Sequence, residues 1–198
     1  GGMGTLLQSA GMKPGERPER WCLTHEAEII AIHKAYFDAG SNVVNTNTFG
    51  ANILSFSEDE LEEVISAAVK CAKRARDPSV GEQSKFIALD IGPTGRLLMP
   101  FGDLDFEEAV EIFAKTVRLG VKYGVDLITI ETMNDSYETK AALLAVKENC
   151  SLPVVVSNAY GEDGKLMTGG SPEAMVALLE GLSVDAIGAN CSFGPKKL

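Results

Sequence analysis

The chain has 198 residues, of which 45% are hydrophobic and 23% charged, and its formal net charge at pH 7 is −10. This length and composition are typical of one globular domain with a sizeable core. The acidic charge argues against binding to nucleic acids or to anionic membrane surfaces, which both need a basic face, and no apolar run approaches the roughly 20 residues of a membrane span.

Cysteine usage and the start of the chain bear on the cellular compartment. The four cysteines are far apart and form no C-x-x-C pair: Cys22, Cys71, Cys150 and Cys191. In a chain of this length that pattern is typical of a reduced protein rather than of a disulfide framework. No basic and apolar leader precedes Gly1, so we expect a cytoplasmic protein.

Helical periodicity and short apolar runs alternate along the chain. The predicted helices cover 24–39, 58–76, 105–123, 136–149 and 171–181, and the predicted strands cover 43–48, 85–91, 127–132, 153–158 and 186–191. Strands that are apolar throughout are typical of parallel sheets, which are buried on both faces. The alternation therefore predicts an α/β protein built from βα units with right-handed crossovers.

Individual helix residues carry their own predictions. Thr24 is placed to cap the first helix, and Ser171, which precedes a proline, is placed to cap the last. His25 and His33 are expected on a solvated helix face. Cys71 is expected to be a structural cysteine, since a free cysteine on a helix is usually a small buried hydrophobe.

Polar residues end almost every predicted strand: Asn45, Thr46, Asn47, Asp90, Glu131, Ser157, Asn158, Asn190 and Cys191. An open doubly wound sheet and a closed (β/α)8 barrel both fit the alternation of elements. The dinucleotide fingerprint G-x-G-x-x-G is missing, whereas a barrel offers a ring of polar groups at the carboxyl ends of its strands. A complete barrel needs about 250 residues. We therefore predict the N-terminal portion of a (β/α)8 TIM barrel lacking the last strands, with 1–198 as one domain that is incomplete at its C-terminus and can continue upstream of Gly1.

Five motifs in chain order carry a family resemblance. They are Gly1-Gly2-Met3-Gly4-Thr5, Thr46-Asn47-Thr48-Phe49-Gly50-Ala51-Asn52, Asp90-Ile91-Gly92-Pro93-Thr94-Gly95, Glu131-Thr132-Met133-Asn134-Asp135, and Gly188-Ala189-Asn190-Cys191-Ser192-Phe193-Gly194-Pro195. Together they resemble the homocysteine S-methyltransferase family, most closely the homocysteine-binding module of its cobalamin-dependent methionine synthase branch. The resemblance covers essentially the whole chain.

The resemblance implies a substrate site. Gly1, Gly2 and Met3 match the stretch whose backbone amides receive the carboxylate of the amino acid, and Glu131 matches the acid that pairs with its ammonium group. Thr46 and Asn47 are candidates for direct contact with the substrate homocysteine. Asp90, which precedes the Ile91-Gly92-Pro93 segment, is interpreted as an acid that shapes a turn.

The resemblance also implies zinc and a methyl donor. Family members bind zinc through three cysteines, and Cys191 matches one of them; the other two, an adjacent pair, are expected beyond Leu198. Zinc stabilises the thiolate of an incoming thiol, which then attacks a methyl group. Gly50 stands where betaine-dependent members have tyrosine, so the expected donor is methylcobalamin, presented by a cobalamin-binding module of the same parent protein.

Two other interpretations stay open at this stage. The chain can be a non-catalytic truncated barrel without metal, or a barrel that binds a pterin or corrinoid in a methyl-transfer system. A parallel sheet without its last strands presents bare edges. We therefore expect the 198-residue chain alone to be inactive, and either poorly soluble or associated through the open edge.

Overall fold

A sheet of five parallel strands forms the centre of this computed structural model, which describes residues 2–77 and 83–194. The strands are β1 (Val43–Asn45), β2 (Phe86–Ile91), β3 (Leu127–Met133), β4 (Val154–Asn158) and β5 (Ala186–Ala189). Each of the five coincides with a run that the sequence predicts, and β3 extends one residue beyond its run, to Met133. β1 and β5 end earlier than predicted, at Asn45 and Ala189, although the Thr46 amide still donates to the Ala88 carbonyl and the Asn190 amide to the Asn158 carbonyl.

The helices are α1 (Met3–Ser9), α2 (Trp21–Thr24), α3 (Glu26–Asp38), α4 (Glu58–Arg76), α5 (Phe106–Tyr123), α6 (Ser136–Asn149) and α7 (Pro172–Gly181), with a 3-10 turn at Pro18–Arg20. The five predicted helices correspond to α3–α7, and α1, α2 and the turn were not predicted. Among the described residues, no helix is both long and apolar enough to cross a membrane.

The order of the strands decides between the two predicted architectures. Neighbours in the sheet follow the chain order, β1-β2-β3-β4-β5, and every pair is parallel. Because parallel crossovers are right-handed, connections that always step in the same direction place all their helices on one face. A doubly wound sheet reverses that direction at a switch point. The structure is therefore the barrel type of α/β fold, with the crossover helices covering the outer face of the sheet.

The main core lies between the sheet and helices α4–α6. Strand residues that point outward are completely buried there: Ile87, Leu89, Ile128, Ile130, Val154 and Val156. A Cβ atom on Gly120 would lie 2.5 Å from a methyl of Leu89, so glycine at this position lets α5 approach β2. The strand residues that alternate with these buried ones therefore point to the inner face of the sheet.

A second, smaller apolar cluster joins the N-terminal segment to α3 and α4. Its buried members include Leu7, Trp21, Cys22, Ile29 and Cys71. The Trp21 indole stacks on the His25 imidazole, with ring centroids 3.9 Å apart and planes at 17°. Cys71 is fully buried, which confirms its structural role.

The structure confirms one of the two predicted helix caps. The Ser171 hydroxyl accepts a hydrogen bond from the Ala174 amide at 3.3 Å and caps α7, as predicted. Thr24 does not cap α3. The residue before that helix is His25, whose side chain makes no capping bond to the helix amides. The Thr24 hydroxyl instead donates to the Arg20 carbonyl at 3.2 Å, within the preceding turn.

His33 is buried, and the prediction of a solvated position is wrong. It lies on the same face of α3 as Ile29 and Phe37 and is 1% exposed. Its Nε2 atom has no hydrogen-bond partner. Burial lowers the pKa of His33 from 6.5 to about 4, since a charged imidazolium would lose its hydration without gaining a partner.

The His33 environment predicts loss of stability in mild acid. Between pH 6.5 and pH 4 the unfolded chain binds a proton on His33 that the folded chain does not. The free energy of unfolding of the wild type should therefore fall by about 1.4 kcal/mol per pH unit in that window relative to His33→Leu. Urea denaturation of both proteins at pH 7 and pH 4.5 measures the difference.

His25→Gln is the matched control, because His25 is half-buried and its imidazole is hydrogen-bonded to the Thr24 hydroxyl at 2.8 Å. This variant retains His33, so it should keep the loss of stability in acid that His33→Leu removes. Parallel stability curves for the wild type and His33→Leu would contradict the assignment.

Candidate active site at the carboxyl ends of the strands

Two carboxyl groups meet on the inner face of the sheet around one amide. The Asn45 amide nitrogen lies 3.3 Å from Asp90 Oδ1 and 3.4 Å from Glu131 Oε2, so one NH2 group bridges both acids. The side-chain oxygen of Asn45, Oδ1, accepts a hydrogen bond from the Thr129 hydroxyl at 3.4 Å. Side chains alternate along a strand, which brings these residues of β1, β2 and β3 to the same face.

Burial makes this pair of acids electrostatically unusual. Burial raises the pKa of Asp90 well above its ordinary value, and the nearby carboxyl groups of Glu131 and Glu19 raise it further. Burial also raises the pKa of Glu131. Like charges this close disfavour double ionisation, and Asp90 is the more deeply buried of the two. The inner face therefore disfavours ionisation of both acids at once.

Asp90 does not shape a turn, contrary to the sequence interpretation. It is an interior residue of β2, paired in register with Thr129, and it is 7% exposed. The turn begins after Ile91, where the strand ends. The predicted strand, 85–91, included Asp90 and ended where β2 ends, so the error concerns only the role given to the Asp90 side chain.

Thr46 and Thr48 close a ring of hydrogen bonds around the Asp90 backbone. The Asp90 amide donates to the Thr46 hydroxyl at 3.2 Å, the two hydroxyls are 2.7 Å apart, and the Thr48 hydroxyl donates to the Asp90 carbonyl at 2.7 Å. Each hydroxyl has one proton, and Thr48 donates its proton to the Asp90 carbonyl. Thr46 is therefore the donor between the two hydroxyls. The buried Thr46 hydroxyl is thus fully used within the chain.

Asn47 ties the N-terminal segment to the end of β1. Its amide nitrogen donates to the Pro18 carbonyl at 2.6 Å and lies 3.5 Å from Cys22 Sγ. The side chain is 5% exposed. In this structure Thr46 therefore holds the backbone of β2 and Asn47 holds the N-terminal segment, both next to the candidate site.

The loop after β1 is closely packed at Gly50. The Gly50 amide donates to Glu19 Oε1 at 2.7 Å, and a Cβ atom there would lie 2.8 Å from the same oxygen. Beside it, the Phe49 ring covers Gly92, whose Cβ position is 2.5 Å from the ring. A tyrosine at residue 50 would displace the Glu19 carboxylate.

Glu138 anchors the loop after β2. Its buried Oε1 accepts from the Thr94 amide at 2.8 Å and from the Thr94 hydroxyl at 2.6 Å. Burial raises the pKa of Glu138, against the opposing effect of the two Thr94 donors. This acid, which the sequence analysis did not single out, connects α6 to the Gly92–Gly95 segment.

A second cluster lies where β3, β4 and β5 end. Asn190 Oδ1 accepts from the Thr132 amide and from the Ser157 hydroxyl, both at 3.0 Å. Asn190 Nδ2 donates to the Thr132 hydroxyl at 2.9 Å and lies 3.7 Å from Cys191 Sγ. One side chain therefore joins the residue after Glu131 to the predicted metal ligand.

Cys191 is an exposed thiol with a left-handed backbone, φ 49°. Across residues 2–77 and 83–194, no three His, Cys, Asp or Glu side chains lie together as a metal site would require. Cys22 and Cys71 are buried in the second apolar cluster, and Cys150 follows α6. The described residues thus supply one thiol for a three-thiolate site, which is an incomplete ligand set.

The predicted carboxylate-binding stretch is at the start of α1. Gly2 precedes the helix, its carbonyl accepts from the Leu6 amide at 3.1 Å, and Met3 packs on the second apolar cluster. Gly1 lies outside the described residues.

Sequence reasoning named the strand ends correctly but did not select Asn45, Thr132 and Asn190 as site residues. Strict alternation was an available signal for Asn45, because it predicts one face for that residue and its neighbours on β2 and β3. No comparable signal marks Thr132, since threonine rarely adopts the left-handed backbone that it has here, φ 62°.

The bridge between the two acids predicts a stability effect. Asn45→Ala removes the N–H donors that face Asp90 and Glu131 and should lower the free energy of unfolding by about 1–3 kcal/mol. The loss should be larger at pH 8 than at pH 5, because a carboxylate depends more on the donors than a neutral carboxyl does. Urea denaturation at both pH values measures it.

Asn42→Ala is the matched control, since that exposed amide makes its contact with the Ser84 carbonyl at 2.9 Å. It should change stability by no more than about 0.5 kcal/mol. Equal losses for the two variants would contradict the bridging role of Asn45.

The chain is similar in sequence to known methionine synthases. The chain is 27% identical over 214 aligned residues to the methionine synthases of Mycobacterium leprae and Mycobacterium tuberculosis, covering 100% of this chain but 18% of each relative. The chain thus spans less than a fifth of those proteins.

Solved structures share the fold. The apo form of the homocysteine methyltransferase MmuM from Escherichia coli superposes with a TM-score of 0.80 at 22% identity, covering 98% of this chain and 71% of that one. Its oxidised form gives 0.81 over 96% and 71%. The predicted α/β barrel class is confirmed. The model of the homocysteine S-methyltransferase family matches residues 1–198, and the chain therefore belongs to that family.

Proposed function

We propose that the protein carrying this chain methylates homocysteine to methionine, and that the site described above holds the amino acid. The observation that carries the proposal is the placement of a partly accessible acid, Glu131, and an exposed thiol, Cys191, at the same edge of the sheet. Family membership supports the substrate, and the methionine synthase relatives support the product.

Glu131 is the proposed partner of the substrate ammonium group. The carboxyl is on the inner face, where Asn45 donates to it and Asp90 lies beneath. Because the two acids share a confined region, the arriving ammonium compensates negative charge there. The amides of Gly1, Gly2 and Met3 are the proposed receptors of the substrate carboxylate.

Thr46 and Asn47 have a supporting role in this proposal. The Thr46 hydroxyl is engaged with Asp90 and Thr48, and the Asn47 amide nitrogen is engaged with Pro18. They hold the end of β1 so that Asn45 keeps its position between the two acids.

Cys191 is the proposed first ligand of a zinc ion, with two further cysteines supplied by residues beyond Leu198. Zinc would provide the positive charge that lowers the pKa of a bound thiol and keeps its sulfur nucleophilic at neutral pH. The chain's own contribution is orientation: with the ammonium on Glu131 and the carboxylate on the N-terminal amides, the sulfur is directed toward the strand-end thiol.

The proposed methyl donor is methylcobalamin, presented by another module of a cytoplasmic parent protein. The support is the likeness to methionine synthases that are much longer than this chain. Gly50 adds a structural argument against the betaine branch, because the Glu19 carboxylate occupies the space a larger side chain needs.

The 198-residue chain alone should not methylate homocysteine, because its described residues provide an incomplete metal site. Purified chain, incubated with zinc, methylcobalamin and homocysteine, should yield no methionine above a reaction without protein. Methionine production at the rate of the full-length protein would contradict this and show that one thiol is enough.

Two substitutions in the full-length protein test the roles of the site residues. Cys191→Ser should abolish a zinc content of about one ion per chain, measured by atomic absorption. Glu131→Gln should raise the KM for homocysteine at least about tenfold while zinc is retained, because a desolvated charge pair is lost.

Cys150→Ser is the control for both measurements, as Cys150 follows α6 away from the strand ends. It should keep the zinc content and the KM of the wild type. Zinc content indifferent to Cys191→Ser would reject the ligand assignment, and an unchanged KM in Glu131→Gln would reject the ammonium site.

A further inference from the structure

A bulge interrupts the pairing of β3 with β4 directly beside Glu131. Ile130 pairs with Val156 and Met133 pairs with Asn158, so β3 uses one more residue than β4 between these pairs. The bulged stretch is Glu131 and Thr132. Bulges near active sites typically re-aim a side chain at the cost of ladder hydrogen bonds.

The backbone at the bulge is held in a sparsely populated conformation. Thr132 has φ 62°, and the left-handed region is a true outlier for a β-branched residue. Such a conformation persists only where the surroundings determine it. The position of the Glu131 carboxyl therefore depends on whatever holds Thr132.

The Asn190 amide holds Thr132 at two points. Its Oδ1 accepts from the Thr132 amide at 3.0 Å, and its Nδ2 donates to the Thr132 hydroxyl at 2.9 Å. The first bond satisfies the amide within the bulge, and the second fixes the side-chain rotamer. The Ser157 hydroxyl donates to the same Oδ1 at 3.0 Å and locks the amide from β4.

The same amide also faces the thiol. Asn190 Nδ2 lies 3.7 Å from Cys191 Sγ, and Cys191 is itself left-handed, with φ 49°. The Ser192 hydroxyl donates to the Asn190 carbonyl at 3.1 Å and accepts from the Tyr160 amide at 2.8 Å, which secures the turn that follows β5. Asn190 is thus in contact with both unusual backbone positions.

From this geometry we infer that Asn190 is a positioning residue that sets Glu131 and Cys191 relative to each other, across β4. It touches neither the substrate nor the metal. Through Thr132 it fixes the acid that receives the amino group, and through Cys191 it fixes the thiol near which the substrate sulfur is placed. The inference rests on the proposed function, because it takes its two ends from the assigned roles of Glu131 and Cys191.

A positioning role predicts a coupled defect in the full-length protein. Asn190→Ala should raise the KM for homocysteine at least tenfold and weaken zinc binding at least tenfold, measured by competition with a chromophoric chelator. Both effects arise from one side chain because it holds both ends of the site. The chelator measurement requires no turnover.

Thr116→Val is the matched control for general loss of stability. It removes the buried hydroxyl that donates to the Ala51 carbonyl at 2.9 Å, far along the chain from the strand-end residues. This variant should lower the melting temperature yet leave the KM and the zinc affinity within twofold of wild type. If Asn190 had only a structural role, Asn190→Ala would likewise lower the melting temperature without changing the KM or the zinc affinity.

Thr132→Val tests the inference if Asn190→Ala does not fold. It keeps the shape of the side chain but removes the hydroxyl that Asn190 Nδ2 contacts, and it should raise the KM about fivefold. An unchanged KM in this variant overturns the inference. The inference is also overturned if Asn190→Ala leaves both the KM and the zinc affinity within twofold of wild type, or if it changes only one of them.

Glu131→Gln and Cys191→Ser, measured in parallel, separate this inference from the proposed function. If those two variants behave as expected and Asn190→Ala does not, only the inference fails. If they leave the KM and the zinc content unchanged, the proposed function fails and the inference fails with it.

Discussion

The parallel, in-order pairing of five strands is the constraint on which the rest of the site depends. It brings every strand's carboxyl end to one edge, and alternation then assigns each polar residue to the inner or the outer face. Asn45, Asp90 and Glu131 meet because their strands are consecutive neighbours and their positions have the same parity. A slip of one residue in β2 would turn Asp90 into the helix layer and Leu89 toward the acids.

Two asparagines connect the strand ends, and each spans three strands. Asn45 joins β1 to acids on β2 and β3, while Asn190 joins β5 to β3 and β4. An amide suits both places because it offers donors and acceptors together and does not ionise. The arrangement therefore keeps its hydrogen bonds over the pH range in which the neighbouring carboxyl groups titrate.

The sequence predicted the elements better than the contacts. Apolar runs and helical periodicity located all five strands and the long helices, since burial on both faces leaves a continuous pattern. His33 was placed in solvent because charge and polarity indicate exposure on average, whereas α4 covers that face of α3. The Asp90 side chain was given a turn-shaping role because a Gly-Pro segment follows the strand that contains it. The bulge at Thr132 could not be predicted, because the side chain that bonds its amide, Asn190, is more than fifty residues away and follows β5.

The stacked ring pair near the N-terminus gives the molecule an intrinsic optical reporter. Trp21 is the chain's one tryptophan, and its indole lies face to face with His25 while Nε1 donates to Glu16 at 3.1 Å. The environment of the indole changes when this stack opens, so the fluorescence of Trp21 follows the contact between the two rings. Because Trp21 belongs to the smaller apolar cluster, its emission reports the docking of the N-terminal segment separately from the melting of the main core.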